Sequence, residues 1–138
     1  MTMKPQQLDL FGSKSLNITY ELKRQMRLAA SKCGLSRDQI VDQMNAIAAR
    51  EGMRTNVSKG ALDNWFKDSD PGRLPSPAWL TIFCSVTGDR GSIEAMLRPL
   101  GCAVVDETGQ RLLAWAEAEV ERKRAAKRAR LALEGLEL

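Results

Sequence analysis

The chain contains no histidine. That removes the commonest general base near neutral pH and the commonest zinc ligand. Its three cysteines, Cys33, Cys84 and Cys102, are odd in number and far apart. No disulfide framework is expected, and no two have the spacing of a metal-binding pair. They read as small core residues of a protein kept in a reducing compartment. Aromatic residues make up only 5% of the chain, so a core must rest mainly on aliphatic side chains. No apolar run approaches the ~18 residues that a membrane-spanning helix needs. The first residues, Met1–Gly12, lack the hydrophobic stretch of a signal peptide. These absences lead to the expectation of a cytoplasmic protein with no membrane attachment, no metal, no cofactor and no catalytic role. Asp63, Asp68 and Asp70 lie close together in sequence, but carboxylates at a helix end more often form turns than hold metals.

What is present is enough for one core. The 138 residues are 43% apolar with three Trp, and Lys plus Arg outnumber Asp plus Glu by 21 to 17 for a net charge of +4. The estimated pI of 9.2 favours a polyanionic partner. Residues 1–16 are polar and turn-rich apart from Leu8, Leu10 and Phe11, and read as a flexible arm. Residues 17–106 carry the helical periodicity of a compact bundle, and 107–138 a separate long basic helix.

Within the bundle the apolar positions recur at helical spacing. Leu22, Met26, Ala29, Ala30 and Cys33 mark a first helix from Thr19 to Gly34. Ser36 and Gln39 form a capping box for a second, which carries Ile40, Val41, Met44, Ile47 and Ala48 and stops before Gly52. Ser58 caps a third over VSKGALDNWFKD, ending at Asp68. Ser76-Pro77 opens a fourth, rich in Trp79, Leu80, Ile82, Phe83 and Val86, that ends at Gly88. A fifth runs from Ser92 to Leu100. The Val-bearing run Cys102–Asp106 has the propensity for one short strand. From Thr108 to Leu136 the chain is rich in Ala, Glu, Arg and Leu, with no Pro and no Gly between Gly109 and Gly135, which predicts a long terminal helix. Its second half carries six cations between Arg122 and Arg130. Glu119 is placed to pair with Lys123 and Glu121 with Arg124, while Lys127, Arg128 and Arg130 lack an acidic residue three or four positions earlier. The fold class is therefore all-α, with that one short strand as its only β element.

Leu35, Ser36 and Ile40, followed by Val57, Ser58, Ala61, Leu62 and Trp65, resemble the helix-turn-helix pattern of phage-repressor-type DNA-binding proteins. Pro75–Leu80, Phe83 and Gly88 resemble the supporting helix of that family. The likeness covers about half the chain. It implies double-stranded DNA as partner, with the third helix entering the major groove. In that reading Ser58, Lys59, Gly60, Asp63, Asn64 and Lys67 face the DNA. Asn64 would read adenine, Lys59 would contact guanine or a phosphate, and Gly60 would allow close backbone approach. Arg37, Arg54 and Asn56 would contact phosphates. One departure stands out: Met44–Asn56 holds about ten residues more than the family's tight turn requires. Either these residues lengthen the second helix at its far end, or the unit is a helical bundle that shares only the pattern.

In the arm, Gln7, Leu8, Asp9, Leu10 and Phe11 spell QLDLF. This resembles the peptide by which bacterial replication and repair proteins attach to the sliding clamp of DNA polymerase. The likeness implies that Leu10 and Phe11 fill an apolar pocket while the Gln7 amide bonds backbone groups. Two functions follow as expectations. One is a transcription regulator or accessory replication factor of a bacterium, phage or mobile element, with the long helix offering a route to a homodimer. The other is a non-catalytic clamp-binding adaptor or replication inhibitor whose helical core is a scaffold.

Overall fold

Six α-helices run through residues 15–136, the part of the chain that the computed structural model describes. They are α1 (Thr19–Lys32), α2 (Arg37–Arg50), α3 (Lys59–Phe66), α4 (Pro77–Thr87), α5 (Gly91–Leu97) and α6 (Glu107–Leu136), with a 3-10 turn at Arg98–Leu100. Local chemistry accounts for most boundaries. Ser36 Oγ accepts from the Gln39 amide at 3.1 Å and Gln39 Oε1 accepts from the Ser36 amide at 2.9 Å, so the reciprocal capping box of α2 forms. Ser58 and Ser76 cap α3 and α4 through the Ala61 and Trp79 amides, and Pro77 takes the first helical position of α4. Gly88 ends α4 in a left-handed conformation, φ 71°, which a side chain would disfavour.

The chain divides into two units, one up to Ala103 and one from Val104. In the first, α1 packs on α3, α4 and α5, while α2 packs on α3 and α4. The core is formed by Leu22, Met26 and Ala29 of α1, Ile40, Val41, Met44 and Ala48 of α2, Leu62, Trp65 and Phe66 of α3, and Leu80, Ile82 and Phe83 of α4. Phe66 is an addition to the periodic positions, while Ala30, Cys33, Ile47, Trp79 and Val86 are only partly buried against it. Phe66 and Phe83 meet edge to face with centroids 6.0 Å apart, the geometry that ring quadrupoles favour.

Several boundaries differ from the sequence reading. Cys102–Asp106 is not a strand, and no strand occurs among the described residues. A β segment needs a second edge to pair its backbone; here Asp106 instead accepts from the Gly109 amide at 2.8 Å and begins α6. Val57 is buried, yet it precedes the Ser58 cap, so its side chain joins the core from the loop. Helix α3 stops at Phe66 rather than Asp68. The fifth helix tightens into a 3-10 turn at Arg98–Leu100, because Pro99 has no N–H to continue the α ladder. Cys102 is exposed, and Cys33 and Cys84 are half-buried free thiols. Burial pushes the Cys84 thiol up, against the hydrogen-bonding contact with Ser92 Oγ at 3.2 Å.

The second unit is the 30-residue helix α6, in which no residue is buried. Its ion pairs also differ from expectation. Glu119 takes Arg122 in a two-point contact at 3.2 and 3.0 Å, a geometry that a lysine cannot offer. Glu121 pairs with Arg128 at 2.9 Å, and Arg130 lies 4.0 Å from Glu134. Among the described residues no helix is long and apolar enough to cross a membrane.

Candidate nucleic-acid interface

Helix α3 has only eight residues, too few to hold its shape without support. Three side chains outside it supply that support. Asn45, on the inward side of α2, donates from Nδ2 to the Val57 carbonyl at 2.9 Å and accepts the Val57 amide on Oδ1 at 2.8 Å. The amide thereby fixes the chain immediately before the Ser58 cap. At the other end Lys23 of α1, fully buried, donates Nζ to the carbonyls of Asn64 at 2.9 Å, Trp65 at 3.2 Å and Arg73 at 2.8 Å. Two of these are last-turn carbonyls of α3 that the helix itself cannot satisfy. One turn along α1, Arg27 donates to the Phe66 carbonyl at 2.6 Å and to Asp68 at 3.0 Å. Cations at a helix C-terminus also oppose its negative dipole end. Burial lowers the Lys23 pKa, while the Asp70 and Asp68 carboxylates act to raise it.

The N-terminal turn of α3 is left at the surface. Ser58, Lys59 and Gly60 are exposed there, and Arg54 and Asn56 are exposed on the loop before it. Asp63 and Asn64, one turn further, are half-buried, and Lys67 is exposed at the C-cap. Apart from Arg37, at the start of α2, the sequence-derived DNA-contact residues therefore lie on α3, its C-cap and the loop leading to it. Three of them, Arg37, Asp63 and Lys59, are committed to intramolecular ion pairs, besides Ser58, which caps the helix. Arg37 places its guanidinium 2.6 Å from Asp63 and 4.7 Å from the centre of the Phe66 ring, so it joins the start of α2 to α3 rather than standing free. Lys59 lies 3.7 Å from Asp38. The Lys59–Asp38 pair is well exposed, its side chains 54% and 70% accessible. Exposed pairs of this kind contribute about 0–1 kcal/mol, so Lys59 can turn to a stronger anion at small cost.

Gly60 has no role in shaping the turn. A Cβ placed on it would meet only Ser58 Oγ at 3.8 Å, an ordinary contact. The extra residues between α2 and α3 form the last turns of α2, which runs to Arg50, and a loop bridged by Asn45. Gln7, Leu8, Asp9, Leu10 and Phe11 lie outside the described residues. Among the described residues no group of three His, Cys, Asp or Glu side chains could hold a metal ion.

Lys23, Arg27 and Asn45 do not figure among the sequence-derived candidates. Asn45 had a visible signal, a polar residue set between Val41 and Ala48 in an apolar stripe. Lys23 and Arg27 stand four apart beside the stripe of α1, which reads as an ordinary solvated flank until α3 is placed against it. No protein-family model, curated protein or solved structure matches this chain.

Proposed function

We propose that this chain binds double-stranded DNA, with the N-terminal turn of α3 directed into the major groove. It would serve as a transcription regulator or accessory replication factor of a bacterium, phage or mobile element. The observation that carries this reading is how α3 is held. Its buried side packs in the core and its C-terminal carbonyls are gripped by Lys23 and Arg27. The exposed Ser58–Lys59–Gly60 turn is thereby presented on a fixed support. A helix N-terminus offers unpaired amides and a positive dipole end to phosphate, and a rigid element reads base edges more precisely than a loop.

In this reading Lys59 exchanges Asp38 for a guanine or phosphate, Asn64 reads adenine, and Arg54 and Asn56 set register on the backbone. Asp63 holds Arg37 and so positions the helix. On a duplex selected by the wild-type protein, Lys59→Ala and Asn64→Ala are each expected to lose about 1–3 kcal/mol of discrimination with an unchanged thermal melt. Unaltered selectivity in both variants would remove α3 as the reading element. Pairing of two copies through α6 would let one assembly address two half-sites.

QLDLF adds a second contact, carried by sequence alone. It would dock on a bacterial sliding clamp and bring the DNA-binding unit to the replication fork, or, without DNA binding, act as adaptor or replication inhibitor. A peptide spanning Lys4–Ser13 is expected to bind clamp with micromolar affinity, about the range for a segment that orders on binding, and Phe11→Ala to lose it. A wild-type peptide with no measurable binding would discard the clamp contact and leave the DNA reading intact.

A further inference from the structure

The charges of α6 are unevenly placed. Residues 107–121 carry Glu107, Glu117, Glu119 and Glu121 against Arg111 alone, whereas residues 122–136 carry six cations against Glu134 alone. Within the helix, Glu119, Glu121, Arg122, Arg128, Arg130 and Glu134 pair among themselves. Glu117, Arg124 and Lys127 have no partner among the described residues, and all three fall in one row. That row is Leu113, Glu117, Val120, Arg124, Lys127 and Leu131. Its spacings are four, three, four, three and four residues, the heptad pattern of a helix–helix seam, and at 100° per residue it fits within about 80° of arc. Leu113 and Leu131 at its ends are 54% and 51% exposed. Leu113, Glu117, Val120 and Arg124 line a shallow groove along the helix.

The spacing of this row reads the same in both directions, and its chemistry reverses. Laid against itself head to tail and centred on position 122, it sets Leu113 against the partner's Leu131, Glu117 against the partner's Lys127, and Val120 against the aliphatic stem of the partner's Arg124. Each contact occurs twice by symmetry. Laid parallel, it sets Glu117, Arg124 and Lys127 each against its own copy, which like charge opposes. We propose that α6 is a self-association surface whose occupant is the α6 of a second copy, antiparallel, in the register that pairs Glu117 with the partner's Lys127. This rests on pairing of the chain and not on its binding DNA. Charged residues inside a seam fix register and orientation at the expense of affinity, so the dimer is a reversible one.

Sedimentation equilibrium of the full chain tests this with Glu117→Lys, Lys127→Glu and the double exchange. The wild type is expected to dimerise. Each single variant places like charges together twice and is expected to weaken the dimer by about tenfold or more. The double exchange restores opposite charges only in the antiparallel register and should return the dimer to near wild-type strength. Circular dichroism checks that helix content is equal in all four proteins. A wild type that stays monomeric, single variants that associate as the wild type does, or a double exchange that fails to recover would each overturn the proposal. None of these outcomes depends on DNA.

Discussion

Lys23 has the most demanding position of any residue in the first unit, because its ammonium sits fully buried with backbone carbonyls as its hydrogen-bond acceptors. Lys23→Met keeps the stem and removes the charge, leaving the carbonyls of Asn64, Trp65 and Arg73 without that donor. Denaturant unfolding should register a loss of about 2–4 kcal/mol; a change under about 1 kcal/mol would mean that other groups satisfy those carbonyls. Gly60 makes the opposite prediction. Its position is exposed and open to a Cβ, and alanine has the higher helix propensity, so Gly60→Ala is expected to leave the melt unchanged or raise it. Its DNA affinity should fall, since the added methyl stands where the backbone would approach the groove. Equal affinity in the variant would show that close approach at Gly60 is not used.

At the level of elements, α3 depends on the connection that precedes it. Asn45 reaches across from α2 to both backbone groups of Val57, acting where a neighbouring strand would. Asn45→Ala breaks both bonds and is expected to cost about 1–3 kcal/mol. It should also weaken DNA binding beyond what the lost stability explains, because the N-terminal turn of α3 would no longer be held. Binding unchanged under conditions where the variant remains folded would separate the clamp on Val57 from the function. The helices themselves were legible in the sequence because their signals are local: Ser36 with Gln39, Ser58, and Ser76 with Pro77 each act within four residues. Lys23 was not legible, since its acceptors lie 41, 42 and 50 residues away and no pattern of nearby residues encodes them. The Cys102–Asp106 expectation failed for the same reason. Val104 and Val105 favour extended backbone, but a strand exists only when another edge is available to it.

Across the whole molecule, the net charge of +4 anticipates an anionic partner without saying which surface meets it. Among the described cations, Lys23, Arg27 and Arg37 hold the fold, whereas Arg54, Lys59 and Lys67 beside α3 and Lys123, Arg124 and Lys127 on α6 are exposed. The sequence placed Arg37 in the second group, and only the approach of Asp63 and Phe66 moves it to the first. Surface cations acting on phosphates would make affinity fall with salt, whereas base-edge contacts from α3 would leave a sequence preference that persists as salt rises. The most direct measurement is therefore selection of binding sequences from random duplexes by the full chain at two salt concentrations. One enriched sequence common to both conditions is expected, with weaker overall binding at the higher salt. Retention of duplexes with no shared sequence at either concentration, or no retention at all, would contradict it.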